Sequence, residues 1–180
     1  MIIVLAGAIG SGKSTLCAEL AAAHGAHRAS FGDYVRYLAG QRGLDVTQRT
    51  VLQDLGHELV EADSRAFLDG ALDWSSHLPG KDLVLDGLRH TKILAALRAR
   101  AIDSNDPMVL IYLDTSLDVR QARVASRGVS LTKMIADEQH PAELDLYEGL
   151  RGAADLVLMG DKPIEELRDE ALNFLAALNS

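Results

Sequence analysis

Near the amino end, the stretch Gly7-Ala-Ile-Gly-Ser-Gly-Lys-Ser-Thr15 sets three glycines beside a lysine and three hydroxyl side chains. Residues of these types, this close together, can surround an anion. Glycines let successive backbone N–H groups turn toward oxyanions with no Cβ in the way. The segment Gly7-x-x-x-x-Gly12-Lys13-Ser14 fits the Walker A spacing at every defined position. The apolar run Ile2–Ala6 precedes it and a helical pattern follows, so the loop opens onto a helix amino end whose unpaired donors and dipole favour phosphate. Gly7, Ile9, Gly10, Ser11, Gly12, Lys13, Ser14 and Thr15 are therefore expected to wrap the triphosphate of ATP. Lys13 supplies a point charge to the β- and γ-phosphates, and the Ser14 hydroxyl ligates Mg²⁺.

Phosphoryl transfer also requires cations over the moving group and a holder for the acceptor. Asp86 ends the apolar run Leu83-Val84-Leu85, where a carboxylate orients Mg²⁺ and its waters and reaches the acceptor; its plainer reading is a helix cap or turn. Asp33 and Arg36 follow a second short run and Arg89 follows the third. In an open parallel sheet these positions lie at the carboxyl edge, where ligands bind. Arg36 and Arg89 are the candidates for an acceptor phosphate, because a guanidinium fork grips two oxygens at once. Surface salt bridges are the alternative for each.

Asp33 has two readings. With a phosphate acceptor it binds a base, a sugar or metal-bound water; with an alcohol it accepts the hydroxyl proton as a catalytic base. Gln53 carries donors and lone pairs suited to a base edge, or else caps a surface turn. Arg120, Arg123 and Arg127 lie three and four residues apart, hence on one helix face, and lead into a segment of little periodicity. That arrangement reads as a lid hinge, with Arg120 binding ATP and Arg123 and Arg127 closing on the triphosphate in catalysis. Pairing with Asp114 and Asp118 is the alternative.

The elements that must position these groups alternate between strand and helix, as in a parallel sheet covered on both faces. Strands are expected at Ile2–Ala6, Ala26–Ser30, Leu83–Asp86, Met108–Leu113 and Leu156–Met159. Helices are expected from Lys13 to about Ala23, over His90–Ala101 and Asp118–Arg127, and in a closing stretch from Ile164 to Leu178. Phe31-Gly32-Asp33 reads as a loop, Pro79-Gly80 as a turn and 128–141 as a mobile loop. Residues 34–72 form a helical insertion, broken near Gly40–Gly43 and Asp63. The expected architecture is a three-layer α/β P-loop fold with a five-stranded parallel sheet. It forms one domain over 1–180, with an acceptor-binding insertion at about 32–75 and a lid at about 127–141.

Bulk composition narrows the partners. A chain of 180 residues, 48% apolar and 24% charged, fits one globular domain. Its net charge of −8 disfavours the broad phosphate-binding surface that holds duplex nucleic acid, yet leaves room for a small basic pocket. Cys17 is the only cysteine, so an intrachain disulfide is excluded and a buried thiol is expected. No apolar run approaches a bilayer span and the start lacks a basic leader, so the expected location is cytoplasmic. The potential metal ligands Asp137, Glu138, His140 and Glu143 in the 128–141 region and just beyond read as a solvated loop rather than a metal cluster.

Together these residues resemble the nucleoside monophosphate kinases. Adenylate kinases carry segments similar to Gly32-Asp33-Tyr-Val-Arg36 and Asp86-Gly87-Leu88-Arg89, and the resemblance implies that both arginines contact the acceptor's phosphate. Arg49-Thr-Val-Leu-Gln53-Asp-Leu-Gly56 is similar to a stretch of phage-type deoxynucleoside monophosphate kinases. Ala154-Asp155-Leu-Val-Leu-Met-Gly160 is similar to dephospho-CoA kinases and archaeal adenylate-kinase-like proteins, which implies an adenine pocket lined by Gly160, Lys162 and Pro163. The chain departs from adenylate kinases in lacking their proline before Arg89 and the usual arginine pair of the lid. The expected activity is ATP- and Mg²⁺-dependent transfer to a nucleoside or deoxynucleoside monophosphate, by a monomer or homodimer with a small nucleotide as partner. The alternatives are phosphorylation of a hydroxyl on a small metabolite or modified DNA base, and a regulatory ATPase with a protein partner.

Overall fold

Each apolar run becomes a strand in the computed structural model, which describes residues 1–78 and 80–178. β1 (Ile2–Gly7), β2 (His27–Ser30), β3 (Leu83–Leu88), β4 (Met108–Asp114) and β5 (Leu156–Met159) form one five-stranded sheet in the order β2-β3-β1-β4-β5. The paired strands run parallel. The central strand β1 is buried on both faces, which is why it reads as unbroken apolar sequence. Its period of two divides the core: Ile2, Val4 and Ala6 join Phe31, Leu68 and Leu97, while Ile3 and Leu5 join Leu16, Leu20 and Leu175.

On one face, α1 (Lys13–His24) packs with the closing helix α9 (Ile164–Leu178). The other face carries α2 (Phe31–Gln41), α3 (Arg49–Ala62), α4 (Ser64–Trp74) and α5 (Thr91–Ser104). α2 to α4 lie between β2 and β3, where the helical insertion was expected. Asp63 both ends α3 and caps α4, its carboxylate accepting from the N–H groups of Arg65 and Ala66 at 3.0 and 2.9 Å. Of the expected turn Pro79-Gly80, Pro79 lies outside the described residues. Among the described residues no helix is long and apolar enough to cross a membrane.

Two segments differ from the sequence reading. Phe31-Gly32-Asp33 is not a loop but the first turn of α2: Ser30 accepts from the Asp33 N–H at 3.2 Å, and Phe31 is drawn into the core. Residues 128–141 are largely helical. After α6 (Leu117–Ala125), Ser130 caps α7 (Leu131–Glu138), which buries Met134 and Asp137. A short helix α8 (Pro141–Asp145) follows, capped by His140, and runs into a π-helical stretch at Leu146–Leu150. One turn each of α7 and α8 faces the core, too little to show as sequence periodicity.

β3 continues two residues beyond Asp86 through a bulge. Leu5 pairs with Asp86 but Ala6 pairs with Leu88, so Gly87 is the extra residue, at φ 85°. A side chain is strained at that angle, and the bulge re-aims the chain end that carries Arg89.

Candidate active site

The carboxyl edge of the sheet gathers three regions that carry the candidate residues. The first is the loop between β1 and α1. Gly12, at φ 98°, caps α1 in a left-handed conformation that glycine adopts without strain. Two arginines of α6 brace the loop from outside. Arg120 Nη1 donates to the Ile9 carbonyl at 3.1 Å, and its Nε to the Thr115 carbonyl at 3.2 Å. Arg123 Nη1 donates to the Ser11 carbonyl at 2.8 Å and Nη2 to the Gly160 carbonyl at 3.0 Å. The Thr115 hydroxyl also donates to the Ser11 carbonyl, at 3.1 Å. A planar trans peptide points its C=O and N–H in opposite directions. Holding the Ile9 and Ser11 carbonyls outward therefore turns the Gly10 and Gly12 N–H groups the other way, toward the loop's interior.

Arg120 and Arg123 share a helix face as expected, but the face turns to the loop backbone, and Arg120 also pairs with Glu138. Arg127 lies beyond the end of α6 and is exposed. Asp114, suggested as a partner for these arginines, pairs instead with Arg151 at 2.8 Å. The loop joining β5 to α9 meets the phosphate loop at Gly160, whose N–H donates to the Asp114 carbonyl at 2.8 Å. Lys162 pairs with Glu170 and Pro163 is exposed.

The second region surrounds Lys13 and Asp86. Burial, and after it the positive charge of Arg89, push the Lys13 ammonium down to about 8, while Asp86 acts against them. Asp86 is 4% exposed. Its Oδ2 accepts from Arg28 Nη2 at 3.0 Å, and its buried Oδ1 has no hydrogen-bond partner among the described residues. A buried carboxylate oxygen left unsatisfied beside a phosphate loop is suited to a divalent cation or its water, so these residues fit Mg²⁺. Ser14, exposed in the first turn of α1, is the hydroxyl on the same loop.

The low Lys13 value gives a measurable linkage. A lysine whose pKa falls on folding costs stability in full below about 8, and that cost is lost progressively as pH rises from there toward the ordinary lysine value of 10.5. A bound triphosphate lowers the same cost by raising the pKa again. ATP binding at pH 8 should therefore take up about half a proton at Lys13. Calorimetry in buffers of different ionisation enthalpy measures this, and Lys13→Met should remove it.

The third region is a pocket between α2, α3 and the end of β3, lined among others by Phe31, Val35, Arg36, Arg49, Gln53, His57, Arg89 and His90. Of the predicted acceptor residues, the structure brings Arg36, Gln53 and Arg89 to this pocket. Arg36 is on the rim, half exposed and paired with Asp33 at 2.9 Å. Asp33 faces a separate shallow hollow with Arg28 and Trp74.

The sequence reading assigned to solvent the two acids most densely connected to the pocket's lining residues. Glu143, 1% exposed, forms ion pairs with Arg89 and with Arg49 at 3.1 Å, and accepts from Gln53 Nε2 at 2.9 Å. Asp137, also buried, lies 3.6 Å from Arg49, and its carbonyl accepts from Gln53 at 2.9 Å. The solvated-loop reading of Asp137, Glu138, His140 and Glu143 is thus corrected: Glu138 pairs with Arg120 and His140 with Asp54 at 3.0 Å. No group of three or more His, Cys, Asp or Glu side chains able to hold a metal ion is found among the described residues. Burial, then Arg49, draws Arg89 down to about 9, still charged at neutral pH. Burial and the neighbouring His57 ring, 5.4 Å away, lower His90 to about 4, so it is neutral there. Arg49 was detectable in principle, since it stands four residues before Gln53 on one helix face.

Comparison with known proteins bears on the family and the fold. A family model described as an AAA domain matches residues 3–143. The cytidylate kinase of Methanocella arvoryzae is 31% identical over 144 residues, covering 80% of this chain and 73% of that protein. The cytidylate kinase of Haloquadratum walsbyi is 30% identical over 130 residues, covering 71% of this chain and 58% of that protein, so this chain spans under two thirds of the haloarchaeal relative's length. Among solved structures, shikimate kinase from Aquifex aeolicus superposes with a TM-score of 0.63 at 19% identity, covering 99% of this chain and 98% of that one, a likeness of fold alone. The phosphate loop, the strand order and the kinase relatives converge: the chain belongs to the AAA-domain family and, within it, to the P-loop nucleoside monophosphate kinase-like proteins.

Proposed function

We propose that the chain transfers the γ-phosphate of ATP to a small acceptor that already carries phosphate, a nucleoside or deoxynucleoside monophosphate. The observation that carries this reading is the convergence of Arg49, Arg89 and Gln53 on one buried anionic group at the carboxyl edge, with Lys13 close enough to feel Arg89. Two guanidinium groups and an amide suit a phosphate monoester. The same pocket also suits a heterocycle: Phe31 and Phe67, which stack at 5.8 Å, line it, and His90 is neutral. The relatives act, by name, on cytidylate, which fits a pyrimidine monophosphate.

In this reading the inward N–H groups of the phosphate loop bind the triphosphate, and Lys13 neutralises charge on the group in transit. Ser14 and Asp86 would hold Mg²⁺, which when bound supplies charge neutralisation on the phosphate oxygens. Arg120 and Arg123 are positioning residues, since their guanidinium groups hold the loop's carbonyls. Arg127, with no ion pair among the described residues, is the arm left to reach the triphosphate's outer oxygens. The loop of Gly160, Lys162 and Pro163, joined to the phosphate loop at Gly160, takes the adenine. Arg36, beside Asp33 on the pocket rim, meets the acceptor as it enters. Asp33 lines the separate hollow rather than the pocket itself, which weakens its reading as the base for an alcohol acceptor.

A panel of nucleoside and deoxynucleoside monophosphates, dephospho-CoA and simple alcohols, assayed with ATP and Mg²⁺ for ADP release, tests the proposal. Monophosphates, pyrimidine ones foremost, should stimulate ADP formation and yield diphosphates. Stimulation by alcohols alone, or hydrolysis indifferent to every acceptor, would refute it.

A further inference from the structure

The anionic group on which the pocket's Arg49, Arg89 and Gln53 converge belongs to the protein. Glu143 sits in the first turn of α8, and the Arg89 ion pair, the Arg49 contact at 3.1 Å and the Gln53 contact at 2.9 Å all fall on one of its oxygens, Oε1. Three donors share a single carboxylate oxygen. Arg49 Nε beside them, 3.6 Å from Asp137, is buried without a hydrogen-bond partner among the described residues. A buried donor left so is costly, and an occupant with more acceptor oxygens than the carboxylate would satisfy it. A phosphate monoester has three terminal oxygens over which the same donors can spread, and it carries about −1.5 to −2 charge at neutral pH against −1 for a carboxylate.

Resting on the phosphate-acceptor reading above, we propose that Glu143 is a specificity-determining residue: an internal carboxylate that fills the cradle of Arg49, Arg89 and Gln53 and yields only to an acceptor bringing a phosphate dianion. A hydroxyl or carboxylate ligand offers no more than Glu143 already does, and would also have to desolvate or re-pair the displaced side chain. A dianion gains a second charge and a third oxygen, so it wins the exchange. The empty pocket is thereby kept from holding two unneutralised arginines beside Lys13. The carboxylate reduces apparent acceptor affinity by the fraction of molecules in which it occupies the cradle.

The test measures binding of the best acceptor from the panel, and of its monoanionic methyl ester, to wild type and Glu143→Gln by calorimetry without ATP. Acceptor KM and kcat at saturating ATP are measured alongside. Glutamine keeps the shape but loses the competing charge, so the monophosphate should bind about tenfold tighter or better, with KM falling in step. The preference for dianion over methyl ester should narrow. Glu143→Asp, one methylene shorter, withdraws the oxygen while retaining an acid, and should move affinity the same way if the glutamine variant fails to fold. A brace for the two arginines would act in the opposite sense: unchanged or weaker monophosphate binding in folded variants overturns the inference. If wild type and variants all bind ATP but no monophosphate, the phosphate-acceptor reading itself falls.

Discussion

Lys13→Ala should lower kcat by about 10²–10³-fold with any acceptor, and the folded protein should become no less stable for it. The two effects have one origin. Lys13 stands in a half-buried mouth with Arg89 as its strongest charged neighbour, and among the described residues its ammonium has only a long contact, 3.4 Å, to the Ala8 carbonyl. It is held there against desolvation and repulsion, which is why its pKa falls to about 8. Below that pH the protonated lysine costs folding free energy, so its removal at neutral pH relieves strain rather than creating it. The same placement serves a triphosphate: the charge is already in position when the phosphates arrive, with no rearrangement required during transfer. Rate measurements on a purified variant, paired with thermal unfolding at pH 7, check both halves. A loss of under tenfold in kcat, or a collapse in melting temperature, would contradict this account of the lysine.

The phosphate loop was legible because its chemistry is local. Backbone amides binding phosphate need glycines, a lysine and a hydroxyl within a few residues, and sequence records that spacing directly. Asp86 and Arg89 were legible for a related reason, since an apolar strand announces where its carboxyl end lies. Phe31-Gly32-Asp33 was misread because glycine and aspartate also mark turns; the deciding feature was the Ser30 hydroxyl, a helix cap written in the residue before. The acids after residue 136 were misread for a different reason. Glu143 is buried only because Arg49, 94 positions away in sequence, and Arg89 reach it in space. A one-dimensional reading sees acids in an aperiodic stretch and assigns them to solvent. The bracing roles of Arg120 and Arg123 were equally hidden, because their acceptors are backbone carbonyls, which any residue provides.

Arg89→Met separates what this arginine does for substrate from what it does for the fold. Its guanidinium, carried past the Gly87 bulge to the pocket floor, meets Glu143 in the structure and, in the proposed reaction, the acceptor phosphate. Losing one of two arginines from a phosphate site should raise the acceptor KM about 10²-fold, in line with the cost of stripping a partner from a desolvated charge pair. ATP affinity should stay within a few-fold, because Lys13 and the loop amides remain and the lysine loses a repulsive neighbour. Stability should fall as well, by about 3 kcal/mol, the lower end of the range for breaking a buried ion pair, since Arg49 and Gln53 still hold the carboxylate. Adding Glu143→Gln to Arg89→Met should restore most of that stability while leaving acceptor use poor, because the buried carboxylate that has lost one of its two arginines is gone but the phosphate ligand is still missing. Steady-state kinetics and denaturant unfolding of the single and double variants decide the matter. Parallel recovery of both properties would mean that Arg89 acts on the acceptor only by holding α8 in place, whereas an equal loss of ATP and acceptor binding in the single variant would move Arg89 out of the acceptor pocket altogether.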